Sequence, residues 1–217
     1  MGRRLIAPEG WAVIGTVAAV FGAVAVVGTL AGHPAAVIPF VLATGFCCWF
    51  FRDPEREPPA DPRALVSPAD GRVVDVSAVR EESFLNAPAT KVSIFMSPLD
   101  VHVNRSPMAG RVITVLHTAG KFRAAWEDKA SLDNERNAVV LEHGGVRLLV
   151  VQIAGALARR IVCRRGVGDV LGRGERYGLI MFGSRVDVFL PAGVEAAVAK
   201  GARVQAGSTV LARLPEA

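Results

Sequence analysis

The chain has 217 residues, a net charge of +5 at pH 7 and 51% hydrophobic residues, which suits either one domain or a smaller domain with a membrane anchor. Its basic residues are scattered rather than gathered in a stripe, and only 6% of its residues are aromatic, which argues against a nucleic-acid partner. The cysteines Cys47, Cys48 and Cys163 show neither metal-ligand spacing nor a disulfide pattern, which indicates a reducing compartment.

Two apolar segments without charged residues open the chain. Residues 11–31 are long enough to cross a hydrocarbon core of about 30 Å, and residues 35–51 reach the lower limit for spanning. Glycine and alanine are frequent in the first segment, which lets helices approach closely in lipid. Trp11 and Trp49 stand where interfacial anchors belong. We predict that residues 1–52 form a hydrophobic helical hairpin that anchors the chain in the cell membrane.

Arginines at both ends of this hairpin predict its orientation. Arg3 and Arg4 precede it, and Arg52, Arg56 and Arg63 follow it. If both segments span, these ends lie on one side of the membrane, which the positive-inside rule assigns to the cytoplasm. A re-entrant wedge is the alternative for the shorter second segment, and a cleaved secretory signal is the alternative for the first. The second apolar segment favours the anchor, because a signal does not need it.

The rest of the chain is predicted to be mainly β. Residues 53–63 combine four prolines with alternating charges, which is typical of a short stiff linker. Residues 64–217 contain short β-branched runs divided by glycine and proline, which favours a β-barrel or β-sandwich domain over βαβ units. Residues 122–133 are the stretch predicted to be helical or irregular. Strands are predicted at 71–76, 91–96, 111–116, 138–142, 146–151 and 185–190.

A weak internal repeat lies in the second half of this domain. Residues 168–174 and 201–207 share glycines at their first and last positions and an apolar residue in the middle. We interpret this pattern as paired tight turns of a biotinyl-like β module. Neither repeat leads to a lysine in a Met-Lys-Met type hairpin, so a swinging-arm role lacks its attachment residue. Two similar turns in one barrel and an ancestral duplication both remain compatible with the pattern.

Three polar segments contain residue types that serve in catalysis, although each has an ordinary structural interpretation when it is taken alone. The pairs Asp70-Gly71 and Gly183-Ser184 each precede a predicted strand and are typical of turns. The third segment, residues 96–107, holds a histidine between polar neighbours.

That histidine is His102. If the segment is extended, alternation puts Asp100, His102 and Asn104 on one face. A carboxylate in that position can set the tautomer and orientation of the imidazole.

In combination, and in their order along the chain, four segments resemble the phosphatidylserine decarboxylase family, in particular its short bacterial and archaeal-type branch. The resemblance extends from Phe51 to the end of the chain, and the apolar N-terminal pair fits it. The four segments are SPADG at 67–71, SPLDVHVNR at 97–105, DKAS with NERN at 128–137, and GERYGLI with FGSR at 174–185.

The resemblance implies a proenzyme that cuts itself between Gly183 and Ser184. Ser184 would attack the Gly183 carbonyl and become a covalent pyruvoyl group, which is the cofactor, at the start of a small chain. The family's Asp-His-Ser arrangement maps to Asp70, His102 and Ser184 as catalytic residues. The pyruvoyl group would form a Schiff base with phosphatidylserine and release CO2 to give phosphatidylethanolamine. The implied partners are the membrane phospholipid and the two chains of one precursor, with a homo-oligomer as an alternative to a monomer and no metal.

One position departs from the family's pattern. Some members carry a second histidine three residues after the first, where this chain has Arg105. His102 would then serve both self-cleavage and decarboxylation, or His117 would assist it, with residues 122–137 lining the pocket. Arg105 is alternatively a ligand for the lipid phosphate or the substrate carboxylate, since a guanidinium binds either in a bidentate manner. His117 is the second residue predicted to contribute to substrate binding.

Two other functions stay open from the sequence. A related pyruvoyl enzyme would act on another amine headgroup, or on a soluble amine, against which the anchor argues. A non-catalytic membrane protein with a biotinyl-like assembly domain would explain the anchor and the repeat. It would not explain the presence of Asp70, His102 and Gly183-Ser184 together.

Overall fold

The structure is a computed structural model that comprises two compact units, residues 1–55 and residues 56–217. The stretch predicted to be helical or irregular, residues 122–133, lies outside the described residues, as does the DKAS part of the third segment. The residues that the structure describes are 5–120, 134–155, 160–181 and 183–215.

The first unit is a hairpin of two apolar helices. Helix α1 (Gly10–Leu30) is followed by a 3-10 turn (Pro34–Ala36) and helix α2 (Val37–Phe50). The two helices approach closely where α1 has a glycine, because a Cβ added at Gly22 would lie 3.6 Å from the Phe40 ring of α2. The predicted hairpin with close contacts between its helices is therefore confirmed.

The outer surface of the hairpin is apolar, as a membrane-embedded helix requires. Its large apolar side chains are mostly exposed, for example Val27 at 66% and Leu42 at 67%. Among the described helices, α1 alone has the length and hydropathy to cross a membrane. After α2, the Arg52 guanidinium lies 4.1 Å above the Trp49 ring and donates to the Trp49 carbonyl, which is an arrangement suited to an interfacial anchor.

The second unit is a β domain in which the described strand pairs are all antiparallel. The mainly β prediction and the six predicted strands are confirmed, and each of those strands extends beyond its predicted bounds. The strands are β1 (Ala64–Val66), β2 (Gly71–Glu81), β3 (Ala87–Met96), β4 (Val103–Arg105), β5 (Gly110–Thr118), β6 (Arg136–His143), β7 (Val146–Ala154), β8 (Arg160–Cys163), β9 (Val170–Leu171), β10 (Arg176–Met181), β11 (Ser184–Leu190), β12 (Arg203–Val204) and β13 (Val210–Arg213).

Eight of these strands form one curled sheet, a half-barrel, in the order β12-β2-β3-β11-β7-β6-β5-β9. A three-stranded sheet, β4-β10-β8, contributes Tyr177 and Ile180 to the main core, which also contains Val186 and Val188 of β11. The outer face of the half-barrel carries a smaller apolar cluster that includes Leu149. Strand β11 lies in the middle of the large sheet and is buried along almost its whole length.

The internal repeat appears as two equivalent corners of the half-barrel. Gly168 and Gly201 have φ angles of +98° and +94°, and Gly174 and Gly207 both have +75°, a region that favours glycine. The last glycines of the two repeats face each other, since a Cβ added at Gly207 would lie 3.6 Å from the Cα of Gly174. The prediction of paired tight turns is confirmed.

The repeat extends further than the glycine spacing indicates. Ser67 and Ser106 each donate their hydroxyl to the carbonyl two residues later, at 2.6 and 2.7 Å. The carbonyl of each serine accepts from the last glycine of one repeat, at 2.8 Å in both corners. The segments that begin with these two serines are SPADGRV at 67–73 and SPMAGRV at 106–112. Asp70 in the first segment therefore corresponds to Ala109 in the second. The hydrogen bonds that the two corners share therefore do not depend on a carboxylate at this position. The Asp70 carboxylate distinguishes the first corner from the second.

Candidate active site

Ser184 is the first residue of the central strand β11, and it is fully buried. It pairs with Met96 of β3 on one side and with Ala154 of β7 on the other. Its hydroxyl donates to the Met96 sulfur at 3.4 Å. A thioether is a weak acceptor, so the hydroxyl proton is held by a contact that a stronger base can replace.

Gly183 lies immediately before Ser184 and has a φ angle of +51°. A residue with a Cβ would adopt this left-handed conformation at a cost of about 1–2 kcal/mol. Gly183 is partly exposed, whereas Ser184 is buried. The chain therefore turns sharply into the core at the bond between these two residues.

His102 lies just before β4 and is 1% exposed. Its carbonyl accepts from Ile180 N at 3.4 Å, which joins it to the end of β10, four residues before Ser184. Its Nδ1 lies 3.0 Å from the Asp100 carbonyl oxygen. Because a carbonyl only accepts, Nδ1 carries the hydrogen, and the lone pair of the neutral ring lies on the buried Nε2.

The Asp100 carboxylate does not face His102, contrary to the interpretation based on alternation. Residues 97–100 form a turn, and the Asp100 carboxylate accepts from the backbone and hydroxyl of Ser97 at 2.8 and 2.7 Å. Its other oxygen pairs with Arg203 at 3.0 Å. The alternation fails because the extended strand starts only at Val103.

Asp70 is buried in the turn that precedes β2, and both of its carboxylate oxygens are engaged. Oδ1 accepts from the Ala206 backbone at 2.8 Å, and Oδ2 pairs with Arg56 at 3.1 Å. The same turn meets the segment after His102, because the Pro68 carbonyl accepts a backbone hydrogen bond from β4 at 2.9 Å. The structure thus brings the Asp70 turn next to the His102 segment, while the described side-chain bonds of Asp70 go to other partners.

Arg105 is 4% exposed and lies between the two glycine turns of the repeat. Its guanidinium donates to the Gly174 carbonyl at 3.1 Å, and a Cβ added at Gly207 would lie 2.9 Å from its Cδ. These contacts give Arg105 a structural position. A role in binding phosphate or carboxylate stays a prediction.

His117 lies near the end of β5 with its side chain 52% exposed, and its Nε2 is 3.5 Å from Glu135 Oε1. Strands β6 and β7 separate β5 from β11, which corresponds to about 14 Å at the usual strand spacing. The structure therefore does not bring His117 to Ser184. The predicted pocket lining falls mostly on residues 122–133, outside the described residues.

A buried chain of amides was not predicted from the sequence. Asn137 Nδ2 donates to Gln152 Oε1 at 3.0 Å, and Gln152 Nε2 donates to Asn104 Oδ1 at 2.8 Å. Asn104 Nδ2 lies 3.8 Å from the Met96 sulfur, which also receives the Ser184 hydroxyl. The three amides come from three strands, so no spacing in the sequence could reveal their contact.

Tyr177, in the GERYG part of the fourth segment, has a displaced pKa. Burial, with a smaller effect of the neighbouring Cys163, raises the pKa of its phenol well above the usual value. The phenol therefore stays neutral at ordinary pH and is not available as a base.

The chain is similar to known proteins over most of its length. A family model described as phosphatidylserine decarboxylase matches residues 43–212. Proteins named phosphatidylserine decarboxylase proenzyme are similar in Syntrophotalea carbinolica, with 48% identity over 207 residues and 95% of each chain covered, and in Symbiobacterium thermophilum, with 48% identity over 217 residues, 100% of this chain and 99% of that one. The protein of that name in Pelobacter propionicus is 52% identical over 176 residues, 81% of this chain and 80% of its own.

These relatives define a class of decarboxylating enzymes whose names mark them as precursors. The chain belongs to the phosphatidylserine decarboxylase family, which confirms the resemblance drawn from the four sequence segments.

Asp70 is expected to stabilise the fold apart from any catalytic role. Asp70→Ala leaves the Ala206 N–H without its acceptor, which should lower the free energy of unfolding by about 2 kcal/mol. Asp70→Asn keeps an acceptor oxygen and loses the partly exposed ion pair with Arg56, which should lower it by less than about 1 kcal/mol. Unfolding of the detergent-solubilised protein on a Ser184→Ala background measures both. Equal losses of unfolding free energy in Asp70→Ala and Asp70→Asn would contradict the stabilising role assigned to the hydrogen bond from Ala206.

Proposed function

We propose that the chain is a phosphatidylserine decarboxylase proenzyme. It cuts itself between Gly183 and Ser184 and uses the resulting pyruvoyl group to convert phosphatidylserine into phosphatidylethanolamine. The observation that carries the proposal is the junction itself, where a glycine in left-handed conformation leads into a fully buried serine at the start of the central strand. Relatives named phosphatidylserine decarboxylase proenzyme cover nearly the whole chain, which supports it.

Self-cleavage begins at the Ser184 hydroxyl. Oγ attacks the Gly183 carbonyl carbon, the bond to the Ser184 nitrogen breaks, and an ester joins the two residues while the amine is freed. Loss of the Cα proton and cleavage of the Cβ–Oγ bond release the Gly183 carboxylate and leave dehydroalanine. Water then replaces the nitrogen, ammonia leaves, and position 184 ends as a pyruvoyl group. The products are residues 1–183 and residues 184–217.

His102 is the proposed base for this step. A serine hydroxyl is a weak nucleophile until its proton is removed. The tautomer with hydrogen on Nδ1, next to the Asp100 carbonyl, leaves Nε2 as the atom that accepts a proton. Asp70 is the proposed third member of the arrangement, and its bonds to Ala206 and Arg56 fix its carboxylate in the turn beside the His102 segment.

Position 184 suits the proposed cofactor. A pyruvoyl group there would supply a conjugated carbonyl for the substrate amine and for the electrons released with CO2. Pairing with Met96 and Ala154 on both sides would hold residue 184 in its place after the cut. His102 is the proposed donor of a proton to the substrate carbon. Arg105 stays a proposed substrate ligand, whereas the distance of His117 from position 184 does not support its predicted role in substrate binding.

The apolar hairpin fits a substrate that is itself a membrane lipid. A diacyl lipid hardly leaves the bilayer, so an enzyme fixed at the interface meets it in two dimensions. The arginines that flank the hairpin support an orientation with the β domain on the cytoplasmic side.

Ser184→Ala is expected to abolish self-cleavage, because no hydroxyl remains to attack the Gly183 carbonyl. Denaturing electrophoresis should show two chains for the wild type and one for the variant, with Ser208→Ala as a control that still cuts. The intact mass of the small wild-type chain should be lower by one ammonia than that of residues 184–217. A small chain from Ser184→Ala would show that the scissile bond is misassigned.

His102→Gln is expected to slow both self-cleavage and CO2 release by about 100-fold or more, the usual contribution of a general acid or base. The first step is measured as the first-order appearance of the small chain. The second is measured on protein that has been allowed to finish cutting. Wild-type rates in both assays would remove His102 from the mechanism.

The orientation can be tested on Lys200, an exposed residue and the sole lysine between positions 184 and 217. A membrane-impermeant amine reagent should label the small chain in inverted membrane vesicles and leave it unlabelled in right-side-out vesicles. Because the proposed cut leaves no α-amine on that chain, the label reports on Lys200. The opposite pattern would place the β domain outside.

A further inference from the structure

Three strands each bring one buried amide side chain to the inner face of the half-barrel. Asn137 of β6, Gln152 of β7 and Asn104 of β4 are 2%, 0% and 0% exposed. Buried strand positions are usually apolar, because an amide that lacks hydrogen-bond partners is costly to bury. Asn137 and Gln152 are direct cross-strand partners, and Asn104 reaches Gln152 from the three-stranded sheet.

The hydrogen bonds between these amides run in one direction. The Pro68 carbonyl, which can only accept, lies 3.5 Å from Asn104 Nδ2. Asn104 therefore turns its oxygen toward Gln152, which donates at 2.8 Å, and Gln152 turns its own oxygen toward Asn137, which donates at 3.0 Å. The Pro68 carbonyl, at one end of this series of hydrogen bonds, thus sets the orientation of all three amides. We call Asn137, Gln152 and Asn104 the amide relay.

The relay ends at the groups proposed for self-cleavage. Asn104 is the middle residue of β4 and lies two positions after His102. Its Nδ2 lies 3.8 Å from the Met96 sulfur, and that sulfur accepts the Ser184 hydroxyl at 3.4 Å. The relay therefore connects the segment of the proposed base with the contact of the proposed nucleophile.

The neighbouring strand β10 leaves room for the relay. A Cβ added at Gly178 would lie 3.2 Å from Gln152 Nε2 and would also strike the Val162 carbonyl. Strand β10 thus passes directly over Gln152 and has a glycine at the point of closest approach. The central amide is enclosed between two sheets, so its position is sharply defined.

We propose that Gln152 is a positioning residue for self-cleavage. It holds Asn104, and with it the His102 segment, in register over the start of β11, and it need not touch a reacting atom itself. This inference rests on the proposed function, since it concerns the geometry of the same cleavage step.

Two substitutions at Gln152 test the proposal. Gln152→Met keeps the length of the side chain but makes no such hydrogen bonds, and it should slow the first-order self-cleavage rate about 100-fold, the effect of a displacement of about 1 Å at a reacting centre. Gln152→Glu keeps the shape, and while ionised it cannot donate to Asn104. Its rate relative to wild type should therefore rise as the pH falls and the carboxyl regains a donor hydrogen.

Ser93 offers a matched control. It is as buried as Gln152, lies on the same sheet, and accepts a hydrogen bond from Arg185 at 2.8 Å, away from the relay. Ser93→Ala should lower the thermal midpoint and leave the cleavage rate unchanged. Midpoints are measured with each variant on a Ser184→Ala background, and rates at a temperature where every variant is folded.

The outcomes separate this inference from the proposed function. A wild-type cleavage rate in Gln152→Met would overturn the positioning role and leave the proposed function intact. Slow cleavage in Ser93→Ala, in proportion to its lost stability, would overturn it as well, because the rate would then follow stability alone. If Gln152→Met does not fold, a pH-independent rate ratio for Gln152→Glu overturns it. A wild-type chain that never cuts would overturn both.

Discussion

Strand β11 is paired along both edges and buried on both faces, and the rest of the β domain is arranged around that constraint. Without water, its backbone groups must be paired within the protein, and β3 and β7 supply these partners from the first residue of the strand. Polar side chains on it need partners too, so Arg185 and Asp187 form a buried bidentate pair at 2.6 and 3.2 Å. The bond proposed for cleavage therefore lies where a rigid strand meets the partly exposed Gly183.

The fold was largely predictable because its long strands carry regular patterns. Strands such as β2 and β7 are long enough for β-branched runs bounded by glycine to be recognised, and the paired turns were visible because their positive φ angles demand glycine. Strands β4 and β10 gave no such signal, since they owe their conformation to the sheet that they form together. The serine part of the repeat was not predicted. Ser67 and Ser106 donate to backbone carbonyls two residues later, and serines make such hydrogen bonds in many other turns.

The candidate site was proposed only through the family resemblance, and local patterns gave a wrong expectation where the backbone turns. Alternation assumed an extended chain around His102, but the turn at residues 97–100 sends the Asp100 carboxylate to Ser97 and leaves its carbonyl beside the imidazole. The amide relay could not be predicted from the sequence, because its members meet only after three strands have come together. Arg105 shows the same limit, since its neighbours are glycine turns that are distant in sequence.

The complete burial of residue 184 has an electrostatic consequence for the products of the proposed cut. Residues 184–217 contribute β11, β12 and β13, each paired with a strand that precedes the proposed cut, so this segment would remain an integral part of the domain after that cut. Plain hydrolysis would end that segment in an ammonium ion, whose hydration shell the core cannot replace. A terminus that has lost its nitrogen carries no charge. The proposed reaction, which would create the reactive carbonyl, would thus also remove the ion that would otherwise push the new chain end out of the protein.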